Sequence, residues 1–375
     1  MNIAVFFGGK SSEHDISIIT AVQAMRALDK EKYKVVPIYI TKEGKWLTGK
    51  KLYNAETFVN FEEKGLKEIS LGFGKGKLLQ KRFWAFKEVL SIDCALLCDH
   101  GLNGEDGTLQ GALELAEIPY TSSAVLGSAV CMDKIIMKQL FQQNGFPVVP
   151  YVWLTREEFE TNEEEILDRI SSELTYPLIV KPANLGSSIG ISRCENEEEL
   201  ISAIEVACKY DGRIIVENAI IALKEINCAC LGYGEDIEIS KLEEPISWHK
   251  LLTFKDKYLT FSKSRTSTEP KISKELKLQI QSLTVKAFKT LSCSGVVRVD
   301  FLLDSESSEI YINEINSIPG SLANYLFSDH FGKLLDRLIE IGIKKFEDKK
   351  KNKLSYKSTA LFEFVRNGKK GFLKK

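Results

Sequence analysis

"GVVRVDFLLDSESSEIYINEINSIPG", residues 295–320, decides the fold. Two apolar-rich runs, "GVVRVDFLL" and "EIYINEIN", flank the turn-rich "DSESS", so they read as an antiparallel hairpin. Asn and Glu are poor strand formers, yet they sit among isoleucines here. Strand side chains alternate faces. Arg298 and Asp300 therefore share one face, and so do Glu314 and Asn316. If those faces coincide, one surface carries an Arg, two carboxylates and an amide oxygen. Oxygen donors of this kind suit a hard cation such as Mg²⁺, which completes its shell with water and phosphate. The bland alternative is a half-exposed sheet with its polar face in water. The following "NSIPG" is a turn whose Gly320 can offer an unhindered backbone N–H to an anion.

Phosphate beside a metal needs cations, and two lysines are suggestively placed. Lys181 ends the apolar strand "PLIV" and opens "KPANLGSSIG". This small-residue loop can close over phosphates with backbone N–H groups and the Ser187 and Ser188 hydroxyls. It is not a P-loop, because the spacing G-x-x-x-x-G-K-[ST] is absent, and an ordinary hairpin is its alternative. Lys134, in "CMDKIIMK", opens a helix, where a lone lysine is usually solvated. "IIVENAI" then offers a strand edge ending at Glu217. A nucleotide base can be read there, with Glu225 further on for a ribose.

Outward from these stretches, the chain has 375 residues, which exceeds one ordinary core and predicts two or three domains. It is 44% hydrophobic and 27% charged, with net charge −1. That composition is globular, and nothing global points to nucleic acid or membrane. No apolar run reaches the roughly 18 residues of a transmembrane span. "MNIAVFFGGK" reads as a buried strand entering a glycine turn, not as an export signal. The eight cysteines then read as reduced core residues of a cytoplasmic protein, with a zinc site as the sharper, disfavoured reading.

Residues 1–120 alternate strands and helices, with "NIAVFFGG", "YKVVPIYIT" and "IDCALLCDH" as strands and 16–29 as a helix. That pattern predicts a parallel sheet with ligands at the strand C-termini. Residues 47–90, charged and rich in Gly and Lys, suggest a hairpin. A second unit begins near Ser122, with helices at 133–144 and 156–174 and the strands "VVPYVWL" and "YPLIVKPA". A third, strand-rich unit begins near "RIIVENAI". From Lys344 the tail is basic and reads as a solvated end with one short element around "ALFEFV".

Taken in order, these motifs resemble the D-alanine–D-alanine ligases of the ATP-grasp superfamily. "FFGGKSSEHDIS", "HGLNGEDGTLQGALELAEIPYTSS", "MDKIIMK", "KPANLGSSIG", "RVDF" and "NEINSIPG" carry the resemblance, over about residues 2–345. It implies an α/β, in part α+β, three-domain ATP-grasp fold. The units are a Rossmann-like substrate domain (1–121), a central domain (122–216), a C-terminal domain with the metal site (217–346) and a tail (347–375). It implies ATP-dependent joining of two D-alanines through a D-alanyl phosphate, for peptidoglycan precursors, by a cytoplasmic homodimer. The cofactors implied are ATP and two Mg²⁺ ions, with Mn²⁺ as substitute; nucleic acid and membrane are not implied partners.

Residue by residue, the resemblance makes Lys134 and Lys181 phosphate ligands and Glu217 and Glu225 adenine and ribose contacts. Ser188 and Lys257 join the nucleotide site. Asp300, Glu314 and Asn316 become the metal ligands. Arg298 and the Gly320 N–H face the oxyanion, Glu13 the first D-alanine's ammonium, and His100 its carboxylate. Ser187 and Tyr258 tie a mobile loop over the site with Glu13. The family continues past "NSIPG" with a Phe-Thr segment and a Ser for the acceptor's carboxylate. Here "SLANYLF" follows, leaving Ser321 or Tyr325 for that work and the acceptor open among D-alanine, D-serine and D-lactate. An inactive nucleotide-binding relative is the reading from another class.

Overall fold

The computed structural model describes residues 1–82, 84–245, 267–353 and 358–371. Lys257, Tyr258 and the loop around them lie outside the described residues.

The N-terminal sheet holds β1 (Asn2–Gly8), β2 (Lys34–Ile40), β3 (Trp46–Thr48), β4 (Lys67–Gly72), β5 (Lys77–Arg82), β6 (Ala85–Ser91) and β7 (Cys94–Leu97). Their order is β6-β5-β4-β3-β2-β1-β7. Only β2, β1 and β7 pair in parallel; the others are antiparallel. The parallel sheet read from the sequence is therefore one end of this sheet, closed by the edge strand β7, and residues 47–90 add an antiparallel extension larger than one hairpin. Strand β1, paired between β2 and β7, is apolar on both faces, as a strand covered on both sides must be. Phe6 and Phe7 are fully buried, each contributing about 1.5–3 kcal/mol. Helix α1 (His14–Ala27) follows the glycine turn after β1.

A second sheet contains β8 (Tyr151–Thr155), β9 (Leu178–Pro182), β10 (Ser192–Cys194) and β11 (Arg213–Asn218), in the order β10-β9-β11-β8, all antiparallel. Between the two sheets run α2 (Thr108–Leu115), α3 (Val125–Met132) and α4 (Lys134–Gln143). The acidic 156–174 stretch forms two helices, α5 (Arg156–Thr161) and α6 (Glu163–Glu173), not one. Asn162, at φ −139° and ψ 49°, breaks it. Helix α7 (Glu197–Cys208) covers this sheet.

The third sheet is built from β12 (Leu223–Tyr233), β13 (Asp236–Ile239), and the predicted hairpin. A short pair, β14 (Glu244–Pro245) with β15 (Ser267–Thr268), forms its own two-stranded sheet beside β12, where Glu243 bridges to Asn227. The hairpin is β16 (Gly295–Asp304) and β17 (Ile310–Asn316), preceded by α8 (Lys274–Thr290). The strand order is β13-β12-β16-β17. Met137 and Phe141 of α4 join this sheet's core, which fixes the helix carrying Lys134 against the third sheet.

Helix α9 (Phe331–Lys350) closes back on the first sheet, sharing one core with β1 and β7 through Leu334, Leu335 and Leu338. The helix runs to Lys350, so the solvated end read from Lys344 begins after it, where residues 351–353 and 358–366 are exposed. Lys345 is half-buried with its ammonium 4.0 Å over the Tyr120 ring, and burial pulls it down to about 7. The last described helix is α10 (Ala360–Gly371). All eight cysteines are free, and all but Cys208 are buried.

Candidate active site

The hairpin answers the question its sequence raises. Arg298 pairs with Asn316 and Asp300 with Glu314 across the two strands, so the two polar faces coincide. Arg298 holds Asp300 with two hydrogen bonds, from Nε at 2.6 Å and Nη2 at 2.7 Å, a bidentate geometry that fixes both planes. Asn316 Nδ2 donates to Asp300 Oδ2 at 3.0 Å. The ladder slips by one residue after Asp300, because Phe301 pairs with Ile312. Asn313 is the extra residue of a β-bulge, a device that re-aims side chains. Asn313 and Glu314 consequently line the same cavity, although neighbours in a regular strand face opposite ways.

That cavity, of about 220 Å³, lies between the second and third sheets. Lys134, Lys181, Ser187, Ser188, Glu225 and Asp300 border it. Lys134 stands at the first position of α4, and its Nζ donates to the Leu185 carbonyl at 2.7 Å and lies 3.7 Å from Glu314. It is therefore buried, not solvated as helical lysines usually are. Lys181 Nζ donates to Glu217 Oε2 at 2.6 Å and Asn313 Oδ1 at 3.2 Å. Glu217 also meets Lys138 at 2.8 Å. Burial alone pushes the Glu217 carboxyl up, but the Lys138 and Lys181 ammoniums outweigh it and bring the group down to about 2. The Glu217 side chain thus holds two lysines, while its strand borders the cavity.

At the cavity's N-terminal side, Ser187 Oγ donates to Glu13 Oε1. Two glycines leave room for this carboxylate. A Cβ at Gly101 would stand 2.7 Å from Glu13 Oε2, and one at Gly186 would stand 2.8 Å from it. Ser187 and Ser188 themselves have φ of 56° and 58°, the left-handed region that costs non-glycine residues energy.

His100 joins α1 to the "NSIPG" turn. Its Nδ1 lies 2.7 Å from the Ile318 carbonyl, an acceptor only, so Nδ1 carries the proton. Burial lowers the imidazole's pKa, which leaves Nε2 to accept from Thr20 Oγ1 at 2.8 Å. Thr20 Oγ1 in turn accepts from the Ser321 N–H at 3.0 Å. Glu105 secures the same turn, accepting from the Ile318 and Gly101 N–H groups, each at 2.8 Å. Burial, with the Glu13 charge nearby, pushes the Glu105 carboxyl up to about 8. Past Gly320, Ser321, Leu322 and Ala323 run left-handed, at φ 52°, 51° and 48°. Tyr325 packs on the N-terminal core.

The structure brings together Glu13 with Ser187, Lys134 with Glu314, and Arg298, Asp300 and Asn316. Lys138, Asn313, Glu105 and Thr20 complete the site and escaped the sequence reading. Lys138 has a signal: it lies four residues after Lys134, on the same helix face. Among the described residues no group of three His, Cys, Asp or Glu stands ready for a metal. The donors are two carboxylates and an amide, a set that fits a hard cation sharing its shell with phosphate.

Two antiparallel sheets facing each other across a lysine-lined cavity, next to a mixed parallel and antiparallel sheet, define the ATP-grasp class. Profiles of the family described as "D-ala D-ala ligase N-terminus" and "D-ala D-ala ligase C-terminus" match residues 2–123 and 140–334. A D-alanine–D-alanine ligase of Thermosipho melanesiensis is 42% identical, covering 93% of this chain and 96% of that one. The crystal structure of a D-Ala:D-Ser ligase from Enterococcus faecalis is similar with TM-score 0.77 and 32% identity, over 91% of this chain and 99% of that one. A Bacillus anthracis D-alanine–D-alanine ligase complexed with ATP has TM-score 0.66 and 27% identity, over 93% and 99%. The chain belongs to the D-alanine–D-alanine ligase family.

Proposed function

We propose that this chain uses ATP to join two D-alanines into D-alanyl-D-alanine, a step toward peptidoglycan precursors. The observation that carries this is the convergence of Lys134, Lys181, Glu314 and Asp300 on one cavity. The Glu13–Ser187 contact stands beside it.

A carboxylate is a poor electrophile. In the first step, an oxygen of the first D-alanine's carboxylate attacks the γ-phosphorus and ADP leaves. In the second, the amine of the next D-alanine attacks the carbonyl of the D-alanyl phosphate, loses a proton, and phosphate leaves. The protein's work is to position groups and neutralise charge. Lys134 and Lys181 take the phosphates, with Ser188 on the covering loop. The strand at Glu217 and the Glu225 carboxylate take the nucleoside, and Glu217 also fixes Lys138 and Lys181. Asp300, Glu314 and Asn316 are the residues that would hold Mg²⁺. When bound, the metal neutralises phosphate charge. Arg298 and the Gly320 N–H face the developing oxyanion, where one such donor is worth about 3–4 kcal/mol.

Glu13 takes the ammonium of the first D-alanine. His100, with both ring nitrogens engaged, acts by holding the "NSIPG" turn at that amino acid's carboxylate. Tyr258 and Lys257 belong to a separate segment, 247–266, whose role is to exclude water from the acyl phosphate. We read the domains as 1–121, 122–216 and 217–346, with a tail at 347–375; three sheets whose strands span 2–97, 151–218 and 223–316 support this division, although β11 crosses its second boundary by two residues.

A second reading, D-serine as acceptor, is favoured by the changed "SLANYLF" segment and the likeness to the Enterococcus enzyme. The test supplies ATP, Mg²⁺ and D-alanine, with and without D-serine or D-lactate, and identifies the product by mass. D-alanyl-D-alanine as the main product of the mixture supports the first reading. A D-alanyl-D-serine product replaces it with the second, and no product with any acceptor overturns both.

A further inference from the structure

The helix α10 is used by neither the reaction nor the core. It lies beyond the family's matched region, which ends at residue 334. Its apolar side chains stand in the open: Leu361 and Phe364 are 75% exposed and Phe362 69%. Val365 is also exposed. At about 100° per residue these four fill an arc of roughly 160°, and Glu363 and Arg366 fall on the other side. Around the helix the charge is lopsided. Residues 349–375 contain ten Lys or Arg and one acid, Glu363, a net of +9. The other residues contain 41 Lys or Arg and 51 acids, a net of −10.

We propose that the 360–371 helix is a membrane-surface anchor for anionic lipid. Leu361, Phe362, Phe364 and Val365 insert among the acyl chains, and the basic flanks sit over phosphate headgroups. An apolar arc backed by cations is the composition of helices that lie in the bilayer interface. The occupant follows from charge and apolarity together. An acidic protein surface would satisfy the lysines and leave four large apolar side chains in water. A second copy would cover the arc but bring two segments of +9 together. Only an anionic bilayer satisfies both. The acidic body adds no attraction to such a surface, so attachment runs through this segment alone and weakens as salt screens it.

The test is co-sedimentation of the full chain with vesicles of phosphatidylglycerol and phosphatidylcholine in equal parts. Phosphatidylcholine alone is the comparison, and salt is varied from roughly 50 mM to 500 mM. Binding is expected to the anionic vesicles at low salt, with release at high salt. The double change Phe362→Ser and Phe364→Ser should lower partitioning at least about tenfold while ligase turnover in solution stays unchanged. Equal binding by this variant, or by a chain lacking residues 358–375, overturns the proposal. So does a helix-dependent dimer in sedimentation with no vesicle binding, which would assign the arc to a second copy.

Discussion

Lys138 Nζ lies 2.8 Å from Glu217 Oε1, with both side chains sealed from solvent. The second oxygen of the same carboxylate meets Lys181 at 2.6 Å. One buried anion therefore anchors two cations, one from a helix and one from a strand. Removing one partner of a buried pair is costly because the other charge stays behind. Lys138→Met should lower stability by about 3–5 kcal/mol and raise the KM for ATP, since Lys181 loses its fixed anchor. The folded carboxyl lies near 2, below its ordinary 4.5. Its stabilisation is thus present above about 4.5 and is lost as pH falls toward 2. Urea titrations from pH 3 to 7 should show this acid loss in the wild type and a smaller one in the variant. An unchanged midpoint in Lys138→Met would show that the anchor is dispensable.

Glu314 faces both Lys134 and the Asp300 side of the hairpin. Glu314→Gln keeps the shape and removes the charge. Turnover should fall by about a thousandfold or more, the equivalent of roughly 4 kcal/mol in the barrier, with the thermal midpoint little changed. Steady-state ADP release at graded Mg²⁺ is the measurement. A well-folded variant with near-normal rate would remove Glu314 from the metal site.

The acceptor's carboxylate has two candidate partners. Ser321 stands at the head of the left-handed turn, and its N–H is already given to Thr20, so only its hydroxyl is available to substrate. Ser321→Ala should raise the KM of the second D-alanine about tenfold or more, from a lost charged hydrogen bond of about 1.5–3 kcal/mol. The KM of the first should barely move. Tyr325→Phe is the parallel variant for the phenol. Normal binding of the second D-alanine in both would place the acceptor pocket elsewhere.

Asp99 is 2% exposed, and neither carboxylate oxygen has a hydrogen-bond partner in another residue among the described ones. Burial pushes the carboxyl up to about 7, against a small pull from its own backbone N–H. With the folded value raised above the ordinary 3.8, the protonated form favours the fold. Stability is then greatest below about 3.8 as far as this group acts, and it is lost as pH rises through 7. The span is at most about 4 kcal/mol. Asp99→Asn should flatten that decline, measured as denaturation midpoints between pH 4 and 8.5. Parallel curves for the two proteins would mean that Asp99 does not titrate this way.

Much of the site was legible because its signals are local. Alternation and the "DSESS" turn predict the hairpin, and the small residues of "KPANLGSSIG" predict a loop between strands. What escaped lay in contacts that no local pattern carries. The charge of residues 67–91 lets a hairpin be read but not the three paired strands that form, since edge strands keep polar side chains in water. Lys345 looks like part of a basic tail, yet α9 carries it onto the Ser122 carbonyl and the Tyr120 ring.

The sequence by itself determined which residues could do this chemistry and in what order they lie along the chain. Residue type and period-two alternation are enough for that. Tertiary structure alone decided their meeting. Glu13 and Ser187 are 174 residues apart, and only the packing of three sheets brings them into contact. One slipped pairing turns Asn313 and Glu314 into the same cavity, which strict alternation forbids. The choice of Lys138 as Glu217's partner came from the helix being fixed in the third sheet's core. A buried charge takes the partner that packing brings within reach, and packing is a property of the whole fold.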